Sequence, residues 1–238
     1  VETAFLPMYQ LSYFPNNQNV NGVQAYDKEV DALNQHTKAD KVYIVCSKDQ
    51  LDENGSMKIF SMIDKLSAEL SVASDNETRK RLLMRRAIAH SVLRDFEAAI
   101  SDFTYYISLD DKNSLAYWQR AVCQAEMDEF NKAEGKGVLN IHSAEADFSD
   151  AIRQNSNNAY IYYNRGNLHA GRNELSKAID DYTIALRIDN RLAEAYYNRG
   201  IARAKSGNKQ TAIQDLSKAG ELGLYDAYSV IKRLNKSK

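Results

Sequence analysis

The sequence predicts an all-α stack of helical hairpins, preceded by a small segment that carries a short β-hairpin. Three observations predict it. The letters YYNRG end both residues 161–166 and residues 195–200, 34 residues apart. The match around them extends over whole units with helical apolar spacing and short polar turns. Pro7 and Pro15 are the only prolines, so the rest of the chain lacks the residue that most strongly breaks a helix.

The units follow in order. Residues 159–192 and 193–226 are the clearest pair, each with two helical stretches around AGRN or KSGN. Residues 80–113 form an earlier unit of the same length. Residues 114–158 lie between them and are 45 long, with the extra residues around 134–143. These are expected to enlarge the turn or extend the second helix. One such unit cannot bury its own apolar face, so neighbours must stack. Residues 226–236 are expected to cap the stack. Ala227, Val230, Ile231 and Leu234 make one stripe, with cations toward the C-terminal end, where the helix dipole favours them.

Residues 1–75 lack the repeat, which sets a division into a leading segment and a repeat domain over 76–238. Residues 41–47 (KVYIVCS) read as a strand, and residues 4–14 (AFLPMYQLSYF) as its partner. Residues 25–35 and 56–73 read as helices and residues 16–22 as a loop.

Composition narrows the function. Lys plus Arg number 31 and Asp plus Glu 32, a balance that argues against a general nucleic-acid binder. No run of 18 apolar residues is present, so membrane insertion is not expected. Cys46 and Cys123 sit in no metal or redox motif. The four histidines are scattered, and no HExxH, GxSxG or phosphate-binding loop occurs. No catalytic residue, metal or cofactor is therefore expected, and an enzyme is the least supported reading. His90 and His169 share one repeat position and read as packed rings. Asp110–Asp111 and Asp180–Asp181 are adjacent on the chain, so on a helix they point about 100° apart and do not share a proton.

The period and its residues resemble the tetratricopeptide repeat. Small residues stand at position 8 (Ala87, Ala121, Gly166, Gly200) and position 20 (Ala99, Ala144, Ala178, Ala212). Position 24 is Phe103, Phe148, Tyr182 and Leu216. Position 27 is small except at Tyr106. The family's proline at position 32 is missing throughout. The resemblance covers residues 80–226 and implies a right-handed α-solenoid of helix-turn-helix repeats. It also suggests the C-terminal part of a longer, bacterial-type multi-repeat protein with further repeats upstream. The compartment stays open between cytoplasm and periplasm.

Two constellations recur. Position 7 is Arg86, Arg120, Arg165 and Arg199, and position 23 is Asp102, Asp147, Asp181 and Asp215. Both positions lie near the packed faces, where an unpaired charge is costly. A structural ladder of Arg–Asp pairs is expected, against the alternative that each Arg reaches solvent. The second is the groove that the resemblance places on the first helices, along the concave face. Position 5 is Met84, Trp118, Tyr163 and Tyr197. Position 6 is Arg85, Gln119, Asn164 and Asn198. Position 9 is Ile88, Val122, Asn167 and Ile201, and Lys205 stands at position 13 of the last repeat. Aromatics offer large contact area, and amides can bond a peptide backbone. The cochaperone clamp for a terminal carboxylate wants Lys at position 5, which is absent, so that ligand is not expected.

The resemblance implies a protein-interaction scaffold that takes an extended peptide or a helix in this groove. Self-association remains open. The alternative is a structural segment of a longer array whose groove is covered by its own N-terminal segment, since residues 4–14 are apolar enough to fill it. Within YYNRG, Tyr162 and Tyr196 are expected to pack inward, and Gly166 and Gly200 to let two helices touch.

Overall fold

Short polar side chains mark where the helices begin. In the computed structural model, which describes residues 4–13, 28–35, 40–46, 51–136 and 143–236, six helices start on an N-cap side chain that accepts a backbone N–H of the first turn. These caps are Asp52, Asp75, Asp95, Asn113, Ser143 and Asn158. Each satisfies one of the donors that a helix leaves unpaired at its start.

The chain divides into two compact units, residues 10–156 and residues 157–238 together with 1–9. The first enters through β1 (Tyr9–Ser12), which pairs with β2 (Tyr43–Cys46), flanking α1 (Lys28–Asn34) in sequence. Both strands and α1 thus fall inside the stretches expected to form them, while the loop at 16–22 lies outside the described residues. Asn34 ties the strand's approach. Its amide donates to the Val42 carbonyl at 2.8 Å and accepts the Val42 N–H at 2.7 Å. α2 (Glu53–Val72), α3 (Asn76–Val92), α4 (Phe96–Leu109), α5 (Ser114–Ala133) and α6 (Ala144–Gln154) complete this unit.

The other unit contains α7 (Ala159–Gly171), α8 (Leu175–Ile188), α9 (Ala193–Lys205), α10 (Lys209–Glu221) and α11 (Asp226–Lys236). α11 buries Ala227 and Val230 against Tyr197, Ile201, Leu216 and Ala219, with Ile231 and Leu234 packed beside them. The apolar stripe read from the sequence is the stripe that packs.

The hairpin turns share one backbone device. The residue two past the end of the first helix has positive φ: Arg94 at 62°, Asn173 at 61° and Gly207 at 83°. The next N–H then reaches back to a carbonyl five residues earlier, from Asp95 to His90, Glu174 to His169 and Asn208 to Arg203, each at 2.9 Å. This arrangement closes the orphan carbonyls of the helix end. Glycine adopts the left-handed region freely, whereas Arg94 and Asn173 carry a steric cost there.

The extra residues of the long repeat do two things. Residues 134–143, part of them outside the described residues, separate α5 from α6 where three residues separate α7 from α8, as an enlarged turn requires. The remainder acts elsewhere than expected and extends the first helix, so α5 runs 20 residues against 13 in α7 and α9. α6 is 11 residues and is not lengthened. Residues 127–133 contain no helix breaker, and the helix runs on until Gly135 takes φ 68°.

Close approach explains the small residues. A Cβ on Gly166 would lie 2.7 Å from the Tyr182 ring, and one on Gly200 would lie 2.8 Å from Leu216.

Candidate functional site

The arginines at position 7 each meet an aspartate through two nitrogens. Arg86 Nε and Nη2 donate to Asp102 at 2.8 and 2.7 Å, and Arg120 to Asp147 at 2.7 and 2.8 Å. Arg165 meets Asp181 at 2.8 and 2.7 Å, and Arg199 meets Asp215 at 2.9 and 2.7 Å. All four are within-repeat pairs of the bidentate kind that suits guanidinium and carboxylate.

A third nitrogen reaches a hydroxyl on the preceding second helix. Arg86 donates to Ser67 at 3.0 Å, Arg120 to Thr104 at 3.0 Å and Arg199 to Thr183 at 3.1 Å. α2, which lies in the segment without the repeat, therefore serves α3 as α4 serves α5. The position-4 tyrosines cover these arginines. Tyr117, Tyr162 and Tyr196 lie with ring centroids 5.8, 5.8 and 5.6 Å from the guanidinium carbons of Arg120, Arg165 and Arg199. Sequence reading expected Tyr162 and Tyr196 to pack inward but missed this stacking, although the three-residue spacing on a helix carries it.

The groove positions of α7 and α9 face residues 5–9 of the chain. Asn164 accepts the Tyr9 N–H at 2.8 Å and donates to the Tyr9 carbonyl at 2.7 Å. Asn198 treats Leu6 alike, accepting its N–H at 2.8 Å and donating to its carbonyl at 3.1 Å. Asn167 donates to the same Leu6 carbonyl at 2.9 Å, and the Tyr163 hydroxyl donates to the Pro7 carbonyl at 3.0 Å. Asn167 in turn accepts from the Tyr182 hydroxyl at 2.7 Å, which fixes its orientation. Burial raises the Tyr182 phenol well above its ordinary range, so it stays a donor. Phe5 and Leu6 pack against the buried cluster that includes Tyr197 and Ile201, and Lys205 Nζ lies 4.8 Å from the Phe5 ring centre.

In the other unit, the groove positions of α3 and α5 face residues 10–13. Gln119 accepts the Leu11 N–H at 2.9 Å. The Tyr13 hydroxyl donates to the Arg85 carbonyl at 2.7 Å, the Arg85 guanidinium lies over the Tyr13 ring, and Arg85 also donates to the Asp40 carbonyl. Burial raises the Tyr13 phenol far above its ordinary range. Met84, Ile88, Trp118 and Val122 are fully buried on the same two helices. Leu11 is fully buried, and Tyr9 and Tyr13 nearly so. Alternation along an extended segment puts Leu11 and Tyr13 on one side.

Sequence reading named position-6 amides but did not name Tyr160, whose ring lies 4.6 Å from that of Tyr9. Its clue was position 2 of the same helix face. The histidines sit elsewhere. His169 Nδ1 is 2.7 Å from Glu174, and His90 Nδ1 is 3.2 Å from Asp95, while His36 and His142 lie outside the described residues. Among the described residues, no group of three His, Cys, Asp or Glu side chains is placed to hold a metal ion, and no helix is long and apolar enough to cross a membrane.

Comparison with known proteins supports the repeat architecture. A family model described as TPR repeat matches residues 170–207. A crystal structure of MamA superposes with a TM-score of 0.59 at 21% identity, covering 76% of this chain and 99% of that one. A MamA fragment from Desulfovibrio magneticus RS-1 gives 0.51 at 17% identity, covering 69% and 94%. YrrB, described as a TPR protein with an unusual peptide-binding site, gives 0.57 at 16% identity, covering 75% and 86%. No curated protein matches the sequence significantly. These identities speak to fold alone: the chain has the fold of tetratricopeptide-repeat proteins, and one stretch of it, residues 170–207, matches the repeat itself.

Proposed function

We propose that this chain is a protein-interaction scaffold whose groove faces hold an extended segment by its backbone, and that residues 5–13 of the same chain are a segment so held. The observation that carries the reading is Asn164, which brackets both the N–H and the carbonyl of Tyr9. Paired backbone bonds of this kind hold a strand-like segment whatever its side chains, as a sheet edge does. Asn198 repeats the arrangement at Leu6 in the next repeat. An external partner then binds by displacing residues 5–9. The description of YrrB as having a peptide-binding site is consistent with a groove of this kind on a related fold. The Arg–Asp pairs serve structure in this reading, holding the first helices that present the amides.

Amide hydrogen exchange tests it. In the unaltered chain the Leu6 and Tyr9 amides exchange slowly. In the Asn164→Ala/Asn198→Ala chain both exchange at least tenfold faster, while amides in α8 and α10 keep their protection. If Leu6 and Tyr9 exchange at the free-peptide rate in the unaltered chain, the segment is not held and the reading is wrong.

A further inference from the structure

The backbone bonds at Leu6 and Tyr9 are blind to sequence, so any choice of ligand must lie in the side-chain contacts around them. We infer that this site selects an aromatic ring where Tyr9 sits: its external ligand is an extended peptide with an aromatic residue, an aliphatic residue next to it and a second aromatic residue, tyrosine in the resident segment, three residues further on. This rests on the reading above and adds the partner's chemistry.

Tyr9 supplies the argument. Its ring is 4.6 Å from Tyr160 with an interplanar angle of 60°, and 5.0 Å from Tyr163 at 68°, edge to face. Tyr163 is itself 5.7 Å from Tyr182. Tilted and edge-on geometry is the favoured arrangement for aromatic pairs, so the slot accepts a flat ring better than an aliphatic chain of equal area. Tyr9 is only 4% exposed there.

Three further features set the pattern. The two bracketed residues are three apart, and three extended residues span about 10 Å, near the packing distance of neighbouring helices, about 8–10 Å. Phe5 meets Lys205 at 4.8 Å, a cation–π contact that an aliphatic residue cannot replace. Leu6 packs against the buried cluster that includes Tyr197 and Ile201. Pro7 stands between the two amides that Asn198 and Asn164 accept, so its missing N–H forfeits neither bond.

The test uses the full chain carrying Tyr9→Ala, which loosens the resident segment, and a fluorescein-labelled peptide FLPMYQLSY followed by anisotropy. The peptide is expected to bind, and a peptide with Tyr9→Ala to bind about tenfold more weakly. Lys205→Ala in the chain weakens the parent peptide two- to threefold and leaves a Phe5→Ala peptide unchanged. Equal affinity for the parent and Tyr9→Ala peptides overturns the aromatic selection and leaves backbone capture standing. If no peptide binds although the variant chain's own backbone amides at positions 6 and 9 exchange freely, the groove does not capture extended segments, and both readings fall. If those amides stay protected in the Tyr9→Ala chain, the aromatic ring does not govern seating, and the inference fails alone.

Discussion

The two units hold the N-terminal segment by different chemistry. On α7 and α9, asparagines bracket two backbone residues, taking N–H and carbonyl together. On α3 and α5, Gln119 takes one N–H only, and its own amide nitrogen finds no partner among the described residues. There the segment is instead the strand β1, paired with β2, and Tyr13 supplies the donor. Position 6 is asparagine in both α7 and α9, and Arg85 and Gln119 in α3 and α5. Leu6 is thus held by side-chain amides outside any sheet, whereas Tyr9–Ser12 form the strand β1.

The charge pairs differ too. Asp147 has Arg120 as its bidentate partner, and both are about 95% buried or more, whereas Asp215 is shared between Arg199 and Arg203. Arg120→Met leaves a buried carboxylate stranded and should cost about 3–5 kcal/mol in urea unfolding. Arg199→Met leaves Arg203 at 2.8 Å from Asp215 and should cost about 1–2 kcal/mol. Adding Asp147→Leu to Arg120→Met should recover most of the loss, because a well-packed apolar pair replaces a buried ion pair at little cost. Equal losses for the two arginine variants would mean that sharing the carboxylate gives no protection.

The amide contrast predicts the next largest effect. Asn164→Ala strips two bonds from the buried Tyr9 backbone and should weaken seating there by about 2–3 kcal/mol. Gln119→Ala removes one bond and should cost about 1 kcal/mol at Leu11. Site-resolved amide exchange measures both, and a larger change at Leu11 would reverse the comparison.

The turns give a smaller effect. Gly207→Ala forces a Cβ into the left-handed region and should cost about 1 kcal/mol. Asn173→Gly removes such a Cβ from the equivalent turn, where φ is 61°. Its gain should be smaller, about 0.5 kcal/mol, because glycine loses more backbone freedom on folding. Thermal midpoints of the two variants should move in opposite directions.

Acid should act on both units weakly. Hydrogen bonds from the Thr78 backbone and hydroxyl hold the Asp75 carboxyl below its ordinary range. Lys177 first, and His169 second, do the same for Glu174. A carboxyl lowered on folding stabilises above its ordinary range and loses that contribution as pH falls through the folded value. Asp75→Asn keeps a capping oxygen and should flatten this acid response, as should Glu174→Gln. NMR titration of the two carboxyls checks the direction.

Much of this was legible in the letters. The 34-residue period located the hairpins, and identical types at positions 7 and 23 pointed to charges that needed partners. The same frame placed Asn164 and Asn198 on a groove face. The overrun of α5 was not legible, because nothing in residues 127–133 marks an end and the stop depends on Gly135. The bracketing was only half legible. The amides were in view, but their partner is backbone, which has no letter, and the apolar run at 4–14 suggested only that the segment was suited to burial. Stacking of position-4 tyrosines on position-7 arginines was missed because the tyrosines were read as inward-facing, although their spacing was in plain sight.

The hydroxyl that Arg86, Arg120 and Arg199 each borrow from the helix before them has a consequence for how such a chain can grow. Ser67, Thr104 and Thr183 ask nothing of the incoming helix except an arginine at the right turn. A duplicated 34-residue block spliced in at a repeat boundary would arrive with that arginine at its front and a fresh hydroxyl at its back. Arg233 stands 34 residues after Arg199, so even the terminal helix keeps the register. Lengthening by copying would therefore require no new chemistry at the seam, and the array could be extended by gene duplication alone.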